Sequence, residues 1–162
     1  MRFPKMRPVI VAVVSVGLFI PAVAGAHERH RILDGRTYDR MRELAHVLDE
    51  QAQHAAEQAI ESAHHGGRGE RRFLNAITHF AEQAADFHER MDRYRESPWD
   101  VPDEVDHLIR DARRVNSQIH SAHVLEHTWD DWDAVVDVLG RMQRVLVSED
   151  HRDRYSDHSD HH

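Results

Sequence analysis

At 162 residues, with 21 Lys and Arg against 29 Asp and Glu, the chain is acidic and has the length of a single domain. It contains no cysteine, which excludes a disulfide scaffold, Cys-ligated zinc or iron–sulfur centres, covalent haem attachment and thiol chemistry. A net charge of −8 argues against nucleic acid as a partner, which would need a basic face, and leaves 16 histidines as the conspicuous excess.

The chain opens in the manner of an export signal. Arg2, Lys5 and Arg7 precede an apolar run from Val9 to Ile20, followed by Pro21 and the small-residue stretch Ala22-Val23-Ala24-Gly25-Ala26. The 12 residues of that run are too few to span a bilayer, which takes roughly 20. Residues 1–26 are therefore expected to be a cleaved signal peptide of bacterial type and residues 27–36 an N-terminal extension. The mature protein is expected in the periplasm, with no stable membrane anchor. Without the signal it would carry 18 Arg against 29 acids, a net charge of −11, and would keep all 16 histidines.

Four stretches place apolar residues at 3-4-3-4 spacing, the signature of amphipathic helices. They run Tyr38, Met41, Ala45, Leu48, Ala52, Ala55, Ala59, then Phe73, Ile77, Phe80, Ala84, Phe87, Met91, Tyr94. The third runs Val101, Val105, Leu108, Ala112, Val115, Ile119, Ala122, and the fourth Trp132, Val135, Leu139, Met142, Leu146. No segment alternates with period two. Gly66-Gly67-Arg68-Gly69 is expected to end the first helix through a left-handed cap, and Ser97-Pro98-Trp99-Asp100 the second. Asp100 with Pro102 should start the third, and Thr128-Trp129-Asp130-Asp131 the fourth. Short connections between such helices predict an all-α, antiparallel up-down-up-down four-helix bundle over residues 37–147. The apolar pattern stops at Val147, so residues 148–162, rich in His and Asp, are expected to form a disordered tail.

No nucleophile motif, phosphate-binding loop or dinucleotide turn is present, and no enzyme is expected. Glu-x-x-His occurs three times (Glu43/His46, Glu61/His64, Glu104/His107), the motif that supplies ligands inside di-iron bundles. Here the core stripes turn these pairs outward, which makes them solvated surface partners. His88 shares a flank with Leu74 and Ala81 and is expected to be a half-buried, hydrogen-bonded histidine.

His120, His123 and His127 are spaced i, i+3, i+7 and would share one helical face if the third helix continued, although His127 falls where a loop is expected. Antiparallel helices would bring them to the same end as His64, His65 and His79. Two further groups sit at the chain ends. Cleavage after Ala26 would free the amine of His27 for a copper chelate, and cleavage after Ala24 would put His27 third, as in an amino-terminal copper or nickel motif. The tail closes with His158, His161 and His162, a composition that binds metal weakly.

The general build resembles that of small periplasmic helical proteins of the metal-stress and chaperone type. Ile77-Thr78-His79-Phe80-Ala81 does not match their Leu-Thr-x-x-Gln motif, and no family is assigned. The expected function is a non-enzymatic periplasmic bundle that binds or buffers zinc, copper or nickel through clustered and terminal histidines. The alternative is a pH-responsive, chaperone-like or protein-interaction bundle of the envelope, with an envelope protein as its partner. Protonating all 16 histidines would move the mature charge from −11 to +5. A third reading is a structural partner domain or homo-oligomer, in which Trp99, Trp129 and Trp132 either pack on the bundle or form an exposed patch at an interface.

Overall fold

The computed structural model describes residues 32–63, 67–119 and 129–149, together with the helical backbone of 126–128 and 150–156. Among these residues there are four helices and no strand: α1 (Gly35–Glu61), α2 (Arg68–Asp92), α3 (Val101–Ile119) and α4 (Glu126–Ser156). The expected signal peptide lies outside the described residues.

Side-chain pairs fix the directions of the helices. Arg42 bonds Asp92, Asp49 meets His88, and Gln53 reaches the carbonyl of Ala81, so partners descend α2 as they rise along α1. Arg90 late in α2 pairs with Glu104 early in α3. Asp34 at the head of α1 bonds Glu149 far along α4, while His54 pairs with Asp131 near the start of α4. Both α1 and α3 pack against α2 and α4, and the diagonal backbones stay apart. These relations make an antiparallel four-helix bundle, up-down-up-down, as the stripes predict.

Burial follows the stripes closely. Every described residue of the first three is buried, from Tyr38 to Ala59, from Phe73 to Tyr94 and from Val101 to Ile119. The small side chains Ala45, Ala52 and Ala55 of α1 are fully buried, and the large rings Phe73, Phe80 and Phe87 of α2 fill the centre. Phe80 meets Trp132 across the diagonal, edge to face, with ring centres 5.2 Å apart. The fourth stripe departs from expectation at its end, where Leu146 is half-buried and Val138 is buried instead. Trp99 and Trp129 are half-buried against the core, so the three tryptophans form no exposed patch.

The helix ends differ from the sequence reading in four places. Asp34 caps α1, accepting from the backbone N–H groups of Arg36 at 2.7 Å and Thr37 at 2.8 Å, so the helix starts at Gly35 rather than 37. The glycine run does not supply the expected left-handed cap: α1 stops at Glu61 with right-handed Ser62 as its C-cap. Gly67 is instead the extended N-cap of α2, its N–H donating to Glu70 Oε2 at 3.2 Å, and Gly69 lies inside the first turn. At the fourth helix, α4 begins at Glu126, ahead of the Thr128 cap. It also runs past Val147 to Ser156, so the first part of the tail expected to be disordered is helical. Ser148 Oγ donates to the Val145 carbonyl, and Glu149 is buried at 6% exposure, which anchors the helix beyond the point where apolar residues stop. The α3 start is as expected, with the Asp103 N–H bonded to Asp100 Oδ1. No helix among the described residues is long and apolar enough to cross a membrane.

Candidate functional site

Antiparallel order decides where the connections go. The chain leaves α1 and enters α2 at one end of the bundle, and it leaves α3 and enters α4 at that same end. His64 and His65 belong to the first connection, and His120 and His123 to the second; these four lie outside the described residues. His127 falls in the first turn of α4, not in a loop, and only its backbone is described. His27, His158, His161 and His162 also lie outside. The start of α1 and the end of α4 lie at the opposite end. His79, expected beside the connections, lies midway along α2 instead.

The five histidines with described side chains lie on the flanks of the helices. His107 is exposed on α3, and Glu43 and His46 are exposed on α1, which agrees with the outward reading of the Glu-x-x-His pairs. His46 turns to Glu50, with Nε2 3.4 Å from Oε1, rather than to Glu43. His54 reaches across to Asp131 on α4 at 3.6 Å, and His79 faces Glu82 at 3.9 Å. His88 is half-buried and bonded, Nδ1 to Asp49 Oδ2 at 3.0 Å, as the sequence indicates.

The juxtaposition that sequence reasoning missed is between α1 and α2. The rings of His46 and His88 lie with centres 5.0 Å apart. A shallow depression there is lined by Asp39, Arg42, Glu43, His46, His88 and Asp92. A carboxylate accepts, so His88 Nδ1 is the donor of that pair and Nε2 is the ring nitrogen turned away from Asp49. That Nε2 stands 4.0 Å from Asp92 Oδ2, while Arg42 Nε donates to Asp92 Oδ1 at 2.6 Å. The hydrogen bond from Arg42 holds the Asp92 carboxyl below its ordinary range, and Arg42 is raised in return. Asp39 is paired with Arg95 at 3.1 Å. The signal in the sequence was Glu43-x-x-His46 and His88-x-x-x-Asp92 on two flanks, but the register that makes them face each other is a property of the packing.

Among the described residues no group of three or more His, Asp or Glu could hold a metal ion. No protein family, curated protein or solved structure matches this chain.

Proposed function

We propose that this chain is a non-enzymatic bundle protein of the bacterial cell envelope, exported by residues 1–26, that holds a divalent transition metal through histidines beyond its core. Zinc, copper and nickel are the candidates, because imidazole is the donor they share. The observation that carries the reading is the antiparallel helix order: the connections bearing His64, His65, His120 and His123 leave and re-enter the bundle at one end, where His127 lies in the first turn of α4. Four neutral imidazoles would make a sufficient donor set for such an ion. His27 and the tail histidines His158, His161 and His162 would add weaker sites at the other end.

Calorimetric titration of the purified protein with Zn²⁺, Cu²⁺ and Ni²⁺ tests this. Replacing His120, His123 and His127 by Ala should abolish the tightest site, whereas ending the chain after Ser156 should remove only weak binding. Undiminished affinity in the triple variant overturns the assignment.

The pH-responsive reading has less behind it. His46, His54, His79 and His88 each stand beside a carboxylate, within helices and across α1–α2 and α1–α4, so these histidines already have partners inside the folded bundle.

A further inference from the structure

The α1–α4 side of the bundle carries a depression of different character, lined by Arg40, Leu44 and Val47 on α1 and by Arg141, Arg144 and Val145 on α4. Glu43 and Ser148 complete its edge. We infer that this groove binds the anion of an aliphatic monocarboxylic acid, with the carboxylate between Arg40 and Arg144 and the hydrocarbon along Leu44 and Val47. The inference is independent of the metal reading, since among the described residues no histidine lines the groove.

Charge is the first support. The chain is acidic overall, with a net charge of −8, yet three guanidinium groups gather here. Arg141 is already matched, its Nε 3.3 Å from Asp137 Oδ2 one turn earlier. Among the described residues Arg40 and Arg144 have no ion-pair partner, and Glu43 on the same rim pairs with neither. Three arginines against Asp137 and Glu43 leave a surplus of one positive charge. That balance suits a single carboxylate and not a doubly charged phosphate.

Register is the second. The pairs Asp34–Glu149 and His54–Asp131 set α1 against α4 so that Arg40 falls level with Arg144. Arg144 folds back along its own helix, with Nη1 3.6 Å from where a Cβ on Gly140 would stand. The bare backbone at Gly140 gives the guanidinium room to lie against the helix. Guanidinium forks match carboxylate geometry, so two of them at one level can hold both oxygens of one anion.

Apolar surface is the third. Leu44 and Val47 follow Arg40 by one and two turns, a rise of about 10 Å along the groove. Both are half-buried, as is Val145, so each keeps part of its surface in water. A small inorganic anion would leave that floor wet, whereas an alkyl chain laid along it removes apolar area from water on both partners. The groove is open on one side, so each methylene gains about half of what full burial gives, roughly a twofold tightening.

The test is an NMR titration of the full chain with sodium octanoate, below its micelle concentration. It is read at the methyl groups of Leu44, Val47 and Val145 and at Nε of Arg40 and Arg144. Expected is a saturable one-to-one shift confined to these groups. Hexanoate should bind about fourfold more weakly, acetate should leave the methyls unmoved, and octanol should bind at least tenfold more weakly than octanoate. Arg40→Gln combined with Arg144→Gln, both at exposed positions, should weaken octanoate at least tenfold and leave the octanol response unchanged, which a damaged fold would not do. Equal affinity for octanol and octanoate, or an octanoate response untouched by the double substitution, overturns the inference. So does inorganic phosphate that displaces octanoate at equal concentration. A shift of the same groups with phosphatidylglycerol vesicles alone also overturns it, making the groove a membrane contact. None of these outcomes bears on the metal titration, and absent metal binding leaves this groove as it is.

Discussion

Glu149, late in α4, accepts a hydrogen bond through Oε1 from the backbone N–H of Asp34 at 3.1 Å, 115 residues earlier in the chain. The bond joins the far end of the last helix to the residue that caps the first. It explains why α4 continues past the last apolar position: a buried carboxylate with a backbone partner takes the place of a hydrophobic anchor. At the same end, the Leu33 N–H donates to Tyr94 Oη at 2.8 Å, and Tyr38 stacks on Tyr94 with ring centres 5.7 Å apart.

Glu149→Ala should therefore destabilise the bundle by about 1–2 kcal/mol, the usual cost of stranding a partly buried N–H. A chain ending at Val147 should lose more than that, and one ending at Ser156 should match the full chain. Urea denaturation of the three proteins compares them directly. Equal midpoints for the two truncations would show that the Glu149 turn contributes nothing.

Tyr94→Phe keeps the ring and its stacking but removes the acceptor for Leu33. The expected loss is about 1 kcal/mol, accompanied by faster hydrogen exchange at the Leu33 amide relative to the centre of α1. A stability change without the local exchange effect would place the role of the hydroxyl elsewhere.

Trp132 is completely buried, with its Nε1 lacking a hydrogen-bond partner, and it packs edge-on against Phe80. Truncating it to Ala should cost about 3–5 kcal/mol, since the cavity opens where α2 and α4 face each other. Domains of this size have roughly 5–15 kcal/mol in total, so the variant should sit near its unfolding threshold at 37 °C. A thermal melt within a few degrees of the parent protein would mean that the neighbours collapse into the space.

Acidification should act on Asp92 with a definite sign. Its folded carboxyl titrates below the ordinary 3.8 because Arg42 hydrogen-bonds to it. The stabilisation is thus fully present above about pH 3.8 and is lost as pH falls through the lower folded value. Asp92→Asn lacks it throughout, so the gap between parent and variant should be constant near neutrality and close in strong acid. Side-chain exposures of 55% for Arg42 and 45% for Asp92 keep the effect small, and added salt should shrink it further. A gap that widens on acidification would contradict the assignment.

Much of this architecture was legible in the order of residues. The 3-4-3-4 spacing of Met41, Ala45 and Leu48, or of Ile77, Phe80 and Ala84, sets which face of each helix leaves water, because burying apolar surface dominates the free energy of folding. From that followed the helix count, the outward aim of Glu43, His46 and His107, and the half-buried state of His88. Local signals did less well where two chemistries compete. Gly67 serves an N-terminus rather than the expected C-terminal cap, and Glu149 prolongs a helix that hydropathy alone ends at Val147.

Tertiary packing alone decided the rest. A stripe fixes the inward face of a helix but not its sliding register against a neighbour, and one turn of slip would move His88 by about 5.4 Å relative to α1. That register sets His88 on Asp49, brings its ring to His46 and puts Arg42 on Asp92. The sequence by itself determined that this chain is an acidic, histidine-rich helical bundle. Which polar side chains meet across its helices was determined only when large rings from α2 and small alanines from α1 locked together, since close packing admits one register and excludes its neighbours.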